Sequence, residues 1–162
     1  MKDDFYKNKK LLFITHGYYQ GGASTSLAHT IQWVEDNKIK FKIISTRKQE
    51  EKTLKIRTKK GAQFCTTFSH PSIVDHEGII TPFLSIVLLL IFQKLKINPY
   101  LINFIKEYNP EFIIFNSTHH CWMIPILKKI FSKTKIIFFV REQVRKERSL
   151  AGLLNYNWLK HA

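Results

Sequence analysis

Cysteine is scarce in this 162-residue chain, which carries only Cys65 and Cys121. Two thiols so far apart exclude a disulfide scaffold and read as a reduced pair, pointing to a cytosolic setting. Acidic side chains are also few: 12 Asp and Glu stand against 26 Lys and Arg, giving a net charge of +14 and a pI near 9.9. Such a balance predicts attraction to anions, whether phosphorylated ligands, acidic membrane surfaces or nucleic acid. Composition does not choose among the three. Long apolar runs are missing. The longest, Ile79 to Phe92, is broken by Thr81, Pro82 and Ser85; it falls short of the roughly twenty residues of a membrane span and reads as a buried helix. Leu11 to Ile14 is too short for a signal-peptide core. The expectation is a soluble or membrane-peripheral protein.

Hydrophobic residues are not among the shortages. They make up 44% of the chain, with thirteen Phe, which excludes disorder. At roughly 150 residues per domain the length predicts one domain, residues 1–162. A domain of this size buries roughly 70% of its unfolded surface, so a core forms without staples.

Leu11-Leu12-Phe13-Ile14-Thr15 is a continuous apolar run closing on a turn cluster, the pattern of a strand covered on both faces. After His16-Gly17-Tyr18-Tyr19-Gln20-Gly21-Gly22, the residues Leu27, Ala28, Ile31 and Val34 fall on one helical face. Ser24 or Thr25 is the expected cap. Phe41 to Ser45 predicts a second strand. Arg47 to Lys60, with seven basic and two acidic residues, reads as a solvated loop or exposed helix. A third strand is expected within Gln63 to Phe68, then a helix from Pro82 to about Lys96. A short helix between Asn98-Pro99 and Asn109-Pro110 follows. Phe112 to Phe115 predicts a strand, Cys121 to Phe131 a helix, Lys135 to Val140 a strand, and Leu150 to Lys160 a last helix. This order implies an α/β fold: an open parallel sheet with helices on both faces. Ligands in such folds bind outside the carboxyl ends of the strands, which directs attention to the loops after Thr15, Phe115 and Val140.

Gly17, Gly21 and Gly22 fit neither the G-x-G-x-x-G fingerprint nor a P-loop. Gly21-Gly22-Ala23-Ser24 nevertheless opens a helix, where backbone N–H groups and the helix dipole suit a phosphate. A tight strand-to-helix turn explains the same residues. Arg141, closing a strand, has the fork geometry for a diphosphate or an anionic acceptor; a surface pair with Glu142 or Glu147 is the plain alternative. His119-His120-Cys121 does not make a metal site, because three adjacent residues do not converge on one ion. His70 and His76 lack partners. No Ser-His-Asp or Cys-His signature is present.

Lys9 to Ile14, Gly21 to Ser24, Leu27 and Phe41 to Ser45 together resemble the start of GT-B glycosyltransferases. The likeness is to the large retaining, family 4-like group that includes many bacterial cell-surface sugar transferases. Ile105 to Ser117 is similar to that group's helix ending Pro-Asp, then a strand and a polar loop, with Glu111 here in the Asp position. Lys135 to Glu142 is similar to a strand followed by His-Asp or His-Glu. The resemblance implies a Rossmann-like N-terminal, acceptor-side domain, with donor phosphate held by Gly21, Gly22, Ala23 and Arg141. It places His16, Asn116, Ser117, His119 and Glu142 on the acceptor side. The family's paired Glu eight positions apart is absent from this sequence, and relatives continue past Ala162 into another strand. The sheet is therefore expected to lack its closing strand or strands, and the C-terminal donor-binding domain to be absent or supplied by a second chain.

By this resemblance the chain is the acceptor-side part of an enzyme moving a sugar from a nucleotide-sugar to a cell-surface glycan or lipid-linked acceptor. It is expected to be inactive alone, to need no metal or cofactor, and to sit in the cytoplasm. Arg47 to Lys60 and Lys128 to Arg148 suit the acidic inner face of the plasma membrane. Self-association through an unsealed C-terminal patch is a further expectation. The alternative is a non-catalytic basic Rossmann-like module binding nucleotide or nucleic acid. Nucleic acid is disfavoured because the aromatic residues sit in apolar runs, away from the basic ones.

Overall fold

The computed structural model describes residues 8–15, 22–45, 64–66, 99–116 and 123–139. In chain order these form β1 (Lys10–Thr15), α1 (Gly22–Asp36), β2 (Lys40–Ser45), β3 (Phe64–Thr66), α2 (Pro99–Tyr108), β4 (Phe112–Phe115), α3 (Ile124–Ile130) and β5 (Lys135–Phe138). The five strands make one sheet in the order β3-β2-β1-β4-β5. Every neighbouring pair is parallel. The expected helices of Pro82–Lys96 and Leu150–Lys160, and the expected C-terminal patch, lie outside the described residues.

Alternation along β1 divides the core into two layers. Leu12 and Ile14 face α2 and α3, packing with Ile44, Leu101, Ile105, Phe115, Met123 and Leu127. Leu11 and Phe13 face α1, packing with Leu27, Ile31, Val34 and Ile43. A strand in the middle of a parallel sheet must be apolar on both faces, and five of the six β1 residues are buried. Helices thus cover both faces of the sheet. β5, at the edge, differs: Ile136 and Phe138 join the layer under α3, while Ile137 and Phe139 are exposed.

Two helix ends explain how the chain re-enters the sheet. Lys38 has a left-handed backbone, with φ of 55°. Its N–H donates to the Glu35 carbonyl and that of Ile39 to the Val34 carbonyl, both at 3.0 Å. This is a Schellman closure, and Ile39 packs in the same layer as Val34. Asn109, with φ of 50°, closes α2 through a 2.8 Å bond from its N–H to the Ile105 carbonyl. The next residue, Pro110, has no N–H to add a second bond. Lys10 Nζ supplies a donor instead, reaching the Tyr108 carbonyl at 3.3 Å from the floor of β1.

The capping expectation for α1 is corrected. The helix starts at Gly22, so Ser24 and Thr25 lie inside its first turn rather than at its cap. α3 is shorter than expected from 121–131, with Pro125 in its first turn, where a missing N–H costs nothing. β3 falls within its expected run, and β5 ends at Phe138, short of the expected Val140.

Candidate functional site at the carboxyl edge of the sheet

β1 leads through α1 to β2 on one side, while β4 returns on the other side of β1. In open α/β sheets, ligands bind at such a reversal, outside the carboxyl ends of the strands. Three short polar residues floor this edge. Thr15 pairs in register with Ser45, and Ser45 with Thr66 of β3. Across the reversal, the Asn116 N–H donates to the Ile14 carbonyl at 3.0 Å, which extends the ladder one residue beyond β4. Thr15, Ser45 and Asn116 are all buried and each makes further interactions, although the Asn116 Oδ1 has no hydrogen-bond partner among the described residues. A hydroxyl or amide offers both donors and acceptors without charge, so these three form a neutral polar floor.

The opposite edge has the reverse character. β1, β2 and β5 begin on Lys10, Lys40 and Lys135. Lys9 and Glu111 pair there at 2.6 Å. Tyr108 lies at the same end, with the ammonium groups of Lys10 and Lys42 at 5.8 and 4.9 Å from its ring centroid. Burial pushes the Tyr108 phenol up from 10.0 to about 12, and its hydroxyl has no hydrogen-bond partner among the described residues.

Six residues after β1, α1 begins at Gly22 and runs for 15 residues. Its first-turn N–H groups have no intrahelical acceptor and carry the positive end of the helix dipole. No carboxylate occupies that first turn, so no side chain of the turn offsets that positive end. Gly22 is helical, which removes the left-handed strain a side chain would suffer at a positive-φ glycine.

Of the residues singled out in the sequence, the structure describes Gly22 and Ala23 in the first turn of α1 and Asn116 at the end of β4. All three belong to elements meeting at the carboxyl edge. Gly21, His16, Ser117, His119, Arg141 and Glu142 lie outside the described residues. Thr15 and Ser45 were not singled out. Their signal is that each apolar run closes on a hydroxyl residue, where a continuing core would put another aliphatic side chain. Among the described residues no group of three or more His, Cys, Asp or Glu could hold a metal, and no helix is long and apolar enough to cross a membrane.

The topology defines a Rossmann-like α/β domain. The fold is similar to that of lipopolysaccharide outer core galactosyltransferase WaaB in its apo form. The TM-score is 0.57 with 17% identity, covering 94% of this chain and 37% of that one. This chain thus has a glycosyltransferase-like fold and spans just over a third of that protein's length. No family model matches the sequence, and no curated protein matches it.

Proposed function

We propose that this chain is the acceptor-side domain of a retaining glycosyltransferase that moves a sugar from a nucleotide-sugar to a cell-surface glycan or lipid-linked acceptor. The observation that supports this reading is the carboxyl edge of the sheet, where β1 and β2 end on buried Thr15 and Ser45, buried Asn116 follows β4, and α1 begins after β1. An acceptor is a polyol, and neutral hydroxyl and amide groups match it without the desolvation penalty of a buried charge. The developing negative charge is on the departing diphosphate. N–H groups at Gly22 and Ala23 are suited to it, with Arg141 as a cationic partner.

In this reading catalysis is positioning plus charge stabilisation, with no metal or cofactor. The donor is gripped by a second domain or chain that carries the paired glutamates this sequence lacks. The chain alone therefore transfers no sugar. It works in the cytoplasm, held peripherally at the inner face of the plasma membrane by its basic segments.

Transfer assays on the completed two-part enzyme test this. Gly22→Val and Arg141→Lys should each lower kcat/KM by about tenfold or more, equal to roughly 1.4 kcal/mol of transition-state stabilisation. Both proteins should stay folded. Unchanged donor kinetics in both variants would reduce these loops to turns, and turnover of any nucleotide-sugar by the chain alone would refute the need for a second part.

A further inference from the structure

A half-open groove of about 350 Å³ lies on the α1 face of the sheet, between α1 and the β4–β5 half. That volume falls within the roughly 300–1,000 Å³ of small-molecule sites. Its walls include Trp33, Ile114, Ile137 and Phe139, and among its described lining residues Thr30 and Lys135 supply polar side chains beside the Trp33 indole. The topology explains why it is open. α1 covers β1 and β2, whereas α2 and α3 pack on the other face, so among the described residues no helix lies over β4 and β5 on this side. Trp33 is 53% exposed, Ile137 39% and Phe139 38%. Large exposed apolar side chains grouped on one face mark an interaction surface.

Charge identifies the occupant. Lys135 lines the groove at its amino-terminal end, with its ammonium 5.8 Å from the Phe112 ring centroid. Exposed Lys133 precedes it, and exposed Lys38 stands beside groove-lining Ile39. Among the described residues no carboxylate pairs with any of the three. A second copy of this chain would bring the same lysines and another +14 to the contact, which opposes self-association. Nucleic acid would meet the lysines and leave the groove in water. An acidic lipid surface complements both features at once, with hydrocarbon for the groove and phosphate for the lysines.

We propose that this groove is where the chain docks on an acidic lipid bilayer, with lipid hydrocarbon covering Trp33, Ile137 and Phe139 and headgroup phosphates meeting Lys38, Lys133 and Lys135. The proposal rests on the peripheral-membrane part of the reading above and not on its sugar chemistry. It deepens that part by assigning the contact to one face of the sheet.

Co-sedimentation of the full chain with vesicles tests it, comparing phosphatidylcholine alone with phosphatidylcholine mixed with phosphatidylglycerol. Binding is expected to the mixed vesicles only. The exposed-residue variants Trp33→Ser with Phe139→Ser, and Lys133→Glu with Lys135→Glu, should each weaken it by at least about tenfold. In a Trp122→Phe, Trp158→Phe background, emission from Trp33 should shift blue on binding. Mixed-vesicle binding unaffected by either pair would overturn the groove while leaving the membrane-peripheral reading intact. Absence of binding to both vesicles would overturn the two together. Self-association abolished by Trp33→Ser would assign the groove to a second copy instead.

Discussion

Asn116 donates its backbone N–H to the Ile14 carbonyl at 3.0 Å and so sits beside Thr15, across the point where strand order reverses. That single bond carries the pairing past the last apolar residue of β4 and places buried Asn116 at the carboxyl edge of the sheet. Its partner strand ends on Thr15, which is in turn in register with Ser45. The polar edge is therefore built by parallel strand pairing.

Stability should be dominated by the two apolar layers. Leu12, fully buried between β1's neighbours and α2, should cost about 2–5 kcal/mol when replaced by Ala. The half-exposed Lys9–Glu111 pair should yield only about 0.2–1 kcal/mol in a double-mutant cycle, despite its 2.6 Å separation. Urea unfolding of the two sets checks the ranking.

Lys38 adopts a conformation that suits glycine, so Lys38→Gly should raise stability by about 0.5–1 kcal/mol after the added unfolded-chain entropy is discounted. A β-branched residue there should do the opposite. At the second closure, Asn109→Gly should be near neutral and Asn109→Ala should cost about 1 kcal/mol. Thermal melts of the four variants decide both points.

The raised phenol of Tyr108 predicts alkaline sensitivity. The unfolded chain loses this proton near 10.0 and the folded chain only near 12. The contribution is therefore complete below pH 10 and declines as pH rises toward 12. Stability measured against pH should fall over that window in the native chain, and less in Tyr108→Phe. An ultraviolet titration should show one tyrosine ionising after the others. Equal slopes for the two proteins would contradict the assignment.

Much of the fold was legible because parallel strands covered on both faces write themselves as unbroken apolar runs. Leu11–Ile14 and Phe112–Phe115 are such runs, and Asn109-Pro110 marks the end of α2 in plain sequence. Local rules failed where tertiary packing took over. Ser24 and Thr25 have the chemistry of caps, but the helix starts earlier, at Gly22. Lys38 gave no signal of a left-handed turn, because its place is fixed by Ile39 docking against Val34. Of the residues singled out in the sequence, Asn116 follows β4, and Gly22 and Ala23 open α1. Thr15 and Ser45 were not singled out, although each closes an apolar run on a hydroxyl residue. Ile137 and Phe139 were equally unreadable as exposed residues, for the apolar run of β5 reads the same on its two faces.

The most direct measurement is an amide-resolved NMR titration of the chain with a nucleoside diphosphate and, separately, with an acceptor-like oligosaccharide. If the carboxyl edge binds as proposed, the diphosphate should shift Gly22 and Ala23, the oligosaccharide should shift Thr15, Ser45 and Asn116, and the amides at Lys40 and Lys135 should stay still. Shifts confined to the lysine-rich edge, or none at the carboxyl edge with either ligand, would contradict it.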